Sequence, residues 1–131
     1  MPQWFTTDMQ KLLVAMLIGA VIGAEREYRT KSAGLRTIIL VCTGSCLFTI
    51  ISMHIGGAAS PDRIASNIVT GIGFLGAGVI FKDGISVNGL TTAALIWVTA
   101  ALGMAVGYHD YPIAIVVTSM VVVALFVLEP V

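Results

Sequence analysis

Five continuous apolar segments, separated by short polar connections, dominate the chain. They do not alternate apolar with polar positions, and their centres carry no charged side chain. Continuous apolar runs favour helices over the alternating strands of a membrane barrel. Each run is close to the ~20 residues of a membrane-crossing helix, with the third and fourth at the short end. We predict an all-α polytopic membrane protein, a single transmembrane domain over 1–131 with five transmembrane helices at about 5–24, 37–56, 64–81, 91–108 and 112–128.

The composition agrees with lipid as the outer solvent of this chain. Hydrophobic residues make up 57% of the sequence and charged residues only 11%, and the mean hydropathy is +0.98. A soluble domain carries about 25% charged residues, so this chain has too few polar side chains to cover its own surface. The net charge is zero, which gives no indication of a nucleic-acid partner.

The distribution of lysine and arginine predicts the orientation. The first and third connections together carry five of these residues, against two for the N-terminal end and the second connection together. Positive residues mark the cytoplasmic side of a membrane protein. We therefore expect the N-terminus outside and the C-terminus in the cytoplasm, with these basic residues on the inner side: Arg26, Arg29, Lys31, Arg36 and Lys82.

The glycine-rich run that starts at Gly71 spells G-x-G-x-x-G, the pattern of a dinucleotide-binding turn. That fold also needs a preceding strand and an acid about 20 residues further on. The run lies within an apolar segment, and the next acid, Asp83, is much too close. We therefore interpret these glycines as smooth helix surface that lets neighbouring membrane helices approach closely.

Helical geometry divides the glycines of the third segment between two faces. Gly71 and Gly78 share one face, and Gly73 and Gly76 lie on a roughly opposite one. We expect a helix that is smooth on two sides and can be sandwiched between two partners. Further small-residue faces are predicted in the first and fourth helices, at Gly19, Gly23, Gly103 and Gly107.

A charged segment at the end of the first helix supplies four candidate functional residues. They are Glu25, Arg26, Glu27 and Arg29. The acids stand four residues before basic residues, which is the favourable order on a helix. One interpretation is a self-neutralised helical extension that acts as a topology signal. The other places Glu25 in a polar cluster with Arg36 or Asp83, because an acid at the end of an apolar helix is costly unless it is paired.

The remaining polar candidates flank the third helix. Asp62 precedes that helix, and Asn67 lies about one turn inside it, where it either bonds to a neighbouring helix or contacts a ligand. The loop that contains Asp83 ends in Thr91 and Thr92. We consider a turn capped by one of these threonines, an anion site at the start of the fourth helix, and a short re-entrant turn.

No arrangement of residues predicts an enzyme or a cofactor. The sequence contains no Walker pattern, no H-E-x-x-H and no set of nucleophile, base and orienting residue. Cys42 and Cys46 are interpreted as small apolar side chains. A soft-metal site with His54 is the alternative, but His54 lies two helical turns beyond Cys46. The sequence does not identify a metal that this chain would bind.

Several segments together resemble the MgtC/SapB family of bacterial inner-membrane proteins. The resemblance extends from the first predicted helix to the fourth, and its motifs are specific jointly rather than singly. The segments are G-A-E-R-E-Y-R at 23–29, A-G-L-R-T at 33–37, G-I-G-F-L-G-A-G-V-I at 71–80 and G-L-T-T-A-A at 89–94.

The resemblance implies a multi-pass protein of the bacterial cytoplasmic membrane. Family members are associated with growth under magnesium limitation and, in pathogens, with survival inside host cells. Some are labelled as magnesium transporters, and others act by modulating membrane machines that include the ATP synthase. Longer members carry an additional soluble cytoplasmic domain, so this chain resembles the short form or the membrane domain alone.

Two functional hypotheses follow. The first is a regulatory protein that acts through helix–helix contacts, either within a homodimer or with a partner complex. The alternative is a carrier or channel for Mg²⁺ or another small ion, because Mg²⁺ prefers carboxylate and carbonyl oxygens. In that case Glu25 and Asp83 would act on the cytoplasmic side and Asp62 on the opposite side, with Asn67 lining the route.

Overall fold

The computed structural model describes residues 2–31, 33–56, 63–83 and 86–128. Five helices account for most of them, which confirms the predicted helical fold. A hairpin of two three-residue strands joins the third and fourth helices. The elements are α1 (Gln3–Tyr28), α2 (Leu35–Gly56), α3 (Arg63–Ala77), β1 (Phe81–Asp83), β2 (Ser86–Asn88), α4 (Leu90–Gly107) and α5 (Tyr111–Val127).

Helix α2 occupies the centre of the fold. It packs along α1 on one side and along α4 on the other, whereas α3 rests mainly on α4 and α5 contacts α4 and α1. The buried core is built from aliphatic and small side chains of α1, α2 and α4. Its most completely buried members include Ala15, Ile22, Ile38, Cys42, Cys46, Ile96 and Val106.

Glycines of α1 and α4 allow both neighbours to approach α2 closely. A Cβ atom at Gly19 would lie 2.8 Å from the Cα atom of Ile39, and one at Gly107 would lie 2.6 Å from Cβ of Thr49. A Cβ atom at Gly103 would collide with the carbonyl oxygen of Cys42. Real Cβ atoms do not fit at these separations, so backbone contact depends on glycine here. The central helix is therefore α2, not α3.

The third helix is shorter than the sequence predicts. It ends at Ala77 rather than at residue 81, and the strands that follow pair Phe81 with Asn88 in an antiparallel register. Low helix propensity at Gly78 and the β-branched residues after it explain the early end. The connection is thus a β-hairpin rather than a simple turn, and Gly89 precedes α4 as its N-cap with a φ of 89°.

In the described part of the chain, three helices are long and apolar enough to cross a membrane, namely α1, α2 and α4. The 15 residues of α3 and the 17 of α5 fall below that length. At 1.5 Å per residue α3 is roughly 22 Å long, against about 30 Å for a hydrocarbon core. The structure therefore supports a membrane protein, whereas five spans and their orientation remain predictions.

Candidate functional site

A buried ion cluster closes the C-terminal end of α1. The guanidinium of Arg26 donates from Nε to Oε1 of Glu25 over 2.6 Å and from Nη2 to Oε2 over 3.0 Å. Arg29 places Nε 3.2 Å from the same Oε2 atom. Glu25 and Arg26 are 4% and 1% exposed. A two-point pairing of this kind fixes the carboxylate firmly.

Among the described residues, this cluster pairs a single acid with two basic side chains. One carboxylate faces two guanidinium groups, and Nη1 of Arg26 is buried with no hydrogen-bond partner among the described residues. Arg29 also lies 5.5 Å from the ring centre of Phe126, which ties the end of α1 to α5. Because each buried charge is costly without its partner, Glu25 holds this end of the fold together.

The spacing of Glu25 and Arg29 predicted their pairing, and the structure confirms it. The proposed cluster of Glu25 with Arg36 is wrong, because Arg36 is exposed and forms no ion pair with Glu25. Glu27 does not pair with Lys31 either. Its Oε1 atom instead accepts the backbone N–H of Leu35 over 2.9 Å. That N–H belongs to the first residue of α2 and has no partner within its own helix, so a carboxylate is favoured there.

An open groove of about 690 Å³ lies between α2 and α3. Its walls are almost entirely apolar, and its polar lining includes the side chain of Asn67, which is exposed. Gly44 and Gly71 line the groove from opposite sides, and a Cβ atom at either would meet no atom within 4 Å. The same holds for Gly73. These glycines therefore leave room that no part of the described protomer fills.

The predicted packing glycines separate into two groups. Gly103 and Gly107 contact α2 within the protomer, and a Cβ atom at Gly76 would sit 3.6 Å from the carbonyl oxygen of Ala93 on α4. Gly71 and Gly73 have no such neighbour. Gly78 faces only the end of its own helix, with the carbonyl oxygen of Leu75 at 3.2 Å. Within the protomer, α3 packs mainly on α4 and makes fewer contacts with α2.

The other candidates are dispersed. Thr92 is buried and Thr91 is exposed on the first turn of α4, and neither side chain caps that helix. Asp62 lies outside the described residues, and of Asp83 only the backbone is described. In the described part of the chain, no group of three or more His, Cys, Asp or Glu side chains is placed to hold a metal ion.

One polar cluster was not predicted from the sequence. His54 at the end of α2 lies 2.7 Å from Asp8 near the start of α1, and Lys11 lies on the other side of Asp8. The two helices are antiparallel, so residues 46 positions apart meet. In the sequence, this contact could have been inferred from a polar residue at the start of the first apolar segment and another at the end of the second.

Helices with apolar surfaces, and charged clusters confined to their ends, define an α-helical membrane protein. Comparison with known proteins identifies the family. The chain belongs to the MgtC family, whose model matches residues 12–131.

Curated relatives agree with this assignment. Protein MgtC of Salmonella typhimurium (strain LT2) is 50% identical over 113 residues, which are 86% of this chain and 48% of that protein. Protein MgtC of Brucella abortus (strain 2308) is 46% identical over 116 residues, or 88% of this chain and 49% of that protein. The chain thus spans about half the length of the curated relatives it matches. No solved structure gives a significant match.

Proposed function

We propose that this protein supports adaptation to low magnesium, and intracellular survival in a pathogen, by modulating other machinery of the bacterial inner membrane. It would act through helix–helix contacts. The groove between α2 and α3 carries the proposal, because its glycines have no neighbour within 4 Å. In a bilayer, small residues on a helix surface allow a second helix to approach closely. The ATP synthase is one candidate partner, and a second copy of this chain is another.

Asn67 adds a polar requirement to the same groove. Its amide is exposed on α3 and makes no hydrogen bond with the described residues. An amide that faces hydrocarbon without a partner is unfavourable. A neighbouring helix with a hydrogen-bonding group would satisfy it, which favours occupation of the groove by protein over occupation by lipid.

The physiological part of the proposal is tested in a bacterial strain that lacks this protein. At limiting magnesium we expect its ATP level and membrane potential to differ from those of the parent strain. Expression of the wild-type chain should restore both values. If both are the same with and without the protein, regulation of membrane machinery is the wrong function.

A homodimer is the simplest occupant to test. Gly71→Cys places a thiol in the groove, whereas Ile115→Cys places one on an exposed position of α5. The native Cys42 and Cys46 are buried and do not interfere. Mild oxidation in membranes should cross-link the first variant to itself more than the second. Equal cross-linking of both would argue against a dimer through this groove.

Five spans with the N-terminus outside are proposed from the distribution of basic residues. The short α3 is compatible with local thinning of the bilayer. Alkaline phosphatase, which is active only outside the cytoplasm, reports the location of a fusion point. A fusion after Gly34 should be inactive and one after Asp110 active. The reverse pattern would refute this orientation.

Transport of Mg²⁺ or another small ion is the second candidate function. It is favoured by Asn67, which places an oxygen-bearing side chain in the open groove. Glu25 is a poor ligand in the observed state, because two guanidinium groups occupy its carboxylate. If the protein is a transporter, Mg²⁺ uptake into proteoliposomes should fall with Asn67→Ala and not with Thr70→Ala, another exposed polar residue of α3. Absence of uptake would exclude this function, whereas uptake indifferent to Asn67→Ala would exclude the groove beside Asn67 as the route.

A further inference from the structure

A second pocket, of about 310 Å³, lies between the start of α1 and the end of α2. It is at the opposite end of α1 from the Glu25 cluster. Its polar lining consists of Gln3, Thr7, Asp8 and Lys11 from α1 and His54 from α2. Trp4 forms part of the wall, with its ring centre 5.3 Å from that of His54.

Lys11 is the unusual member of this pocket. Its side chain is 7% exposed, yet its ammonium group makes no hydrogen bond with the described residues. The nearest acidic oxygen is Oδ1 of Asp8, at 3.9 Å, which is beyond hydrogen-bond distance. An ammonium group has three donors. The nitrogen itself is not fully buried and lines the pocket, where an acceptor for these donors would stabilise it.

Asp8 does not meet this need. Its Oδ2 atom is already 2.7 Å from Nε2 of His54, so one carboxylate is shared between an imidazole and an ammonium group. The start of α1 adds further donors, because Pro2 precedes the helix and no side chain caps its first N–H groups. A helix start of this kind favours negative charge. In the described lining, one carboxylate thus faces both an ammonium group and an imidazole.

We propose that this pocket binds a phosphate group, with Lys11 as its charged ligand and the first turn of α1 as its second source of donors. A phosphate offers several strong acceptor oxygens to donors that converge from different directions. Tryptophan concentrates at the membrane–water interface, where lipid phosphates lie. Trp4 therefore indicates that the pocket is at the depth of those phosphates. The group is therefore supplied either by free phosphate or by a phospholipid headgroup.

A divalent cation fits the pocket less well. Among the described lining residues Asp8 is the single acid, and the ammonium group of Lys11 would stand beside the metal. One substitution distinguishes the two possibilities, because it should change the affinity for an anion and for a cation in opposite directions. Asp8→Asn removes a charge that repels an anion and attracts a cation. Phosphate binding should therefore become tighter in this variant, whereas cation binding should be lost.

The fluorescence of Trp4 reports occupation of the pocket. The full chain is purified in a maltoside detergent, which contains no phosphate, with Trp97→Phe to remove the other tryptophan. Inorganic phosphate is titrated against chloride at equal ionic strength. In a second arm, micelles containing phosphatidylglycerol are compared with micelles containing diacylglycerol. Lys31→Met, at an exposed lysine, is the matched control for Lys11→Met.

We expect a saturable signal that Lys11→Met weakens by about tenfold or more and that Lys31→Met leaves unchanged. Asp8→Asn should tighten binding several-fold, which provides a test even if Lys11→Met fails to fold. A Lys11-dependent response to inorganic phosphate assigns free phosphate. A response to phosphatidylglycerol alone assigns a lipid headgroup. The proposal is overturned if neither arm depends on Lys11, or if Mg²⁺ gives a signal that Asp8→Asn abolishes.

Discussion

Gly103→Ala is expected to destabilise the folded protein by about 1–3 kcal/mol, the usual range for overpacking a tightly packed site. The added methyl group would collide with the carbonyl oxygen of Cys42. A backbone atom inside a helix cannot move aside as a side chain can, so α4 must separate from α2. Thermal unfolding in detergent, followed by the helical circular dichroism signal, measures the loss.

Gly71→Ala and Gly73→Ala are the matched controls for this prediction. Both positions lie on α3 and have room for a methyl group, because no atom lies within 4 Å of the added Cβ. Alanine is the better helix former, by up to about 1 kcal/mol. These variants should therefore unfold at or above the wild-type temperature. If Gly103→Ala were as stable as they are, close packing of α4 on α2 would be wrong.

Glu25→Gln is expected to destabilise the protein by about 3–5 kcal/mol, the range for breaking a buried ion pair on one side. The substitution leaves Arg26 charged and 1% exposed without its counter-ion. It also removes an acid that pairs with Arg29. The unfolding temperature in detergent and the yield of protein in membranes should both fall.

Glu27→Gln is the control for Glu25→Gln, since Glu27 is exposed and its amide analogue still accepts the N–H of Leu35. Its effect should stay below about 1 kcal/mol. The double variant Glu25→Leu with Arg26→Met replaces the buried pair by apolar groups and should recover part of the loss. Equal stability of Glu25→Gln and Glu27→Gln would show that the ion cluster contributes little.

The helices of this fold were predictable because a bilayer leaves the backbone few alternatives. Apolar runs of about the right length marked all five, and the four-residue spacing of Glu25 and Arg29 predicted their ion pair. The end of α3 was not predictable from hydropathy. The apolar residues Val79 to Phe81 continue the pattern of the helix, although the chain has already turned towards a β-strand.

The arrangement of the helices could not be derived from the sequence. A run that is apolar all round gives no preferred face, so nothing identified α2 as the central helix. The glycines indicated close approach but not the partner. Those of α1 and α4 meet α2, whereas Gly71 and Gly73 remain open. The contact between Asp8 and His54 likewise required the antiparallel packing of α1 and α2.

The division of the glycines into an inner set that builds the protomer and an outer set that receives a partner has a direct test. Gly71→Leu places its Cβ atom in the groove between α2 and α3, where an added Cβ atom meets nothing within 4 Å. Val116→Leu adds apolar bulk on the exposed face of α5. Each is expressed in a strain lacking the protein, and ATP level and membrane potential are measured at limiting magnesium. We expect Gly71→Leu to accumulate in the membrane as a folded protein and yet fail to restore either value, while Val116→Leu restores both. Full restoration by Gly71→Leu would contradict a functional contact in this groove.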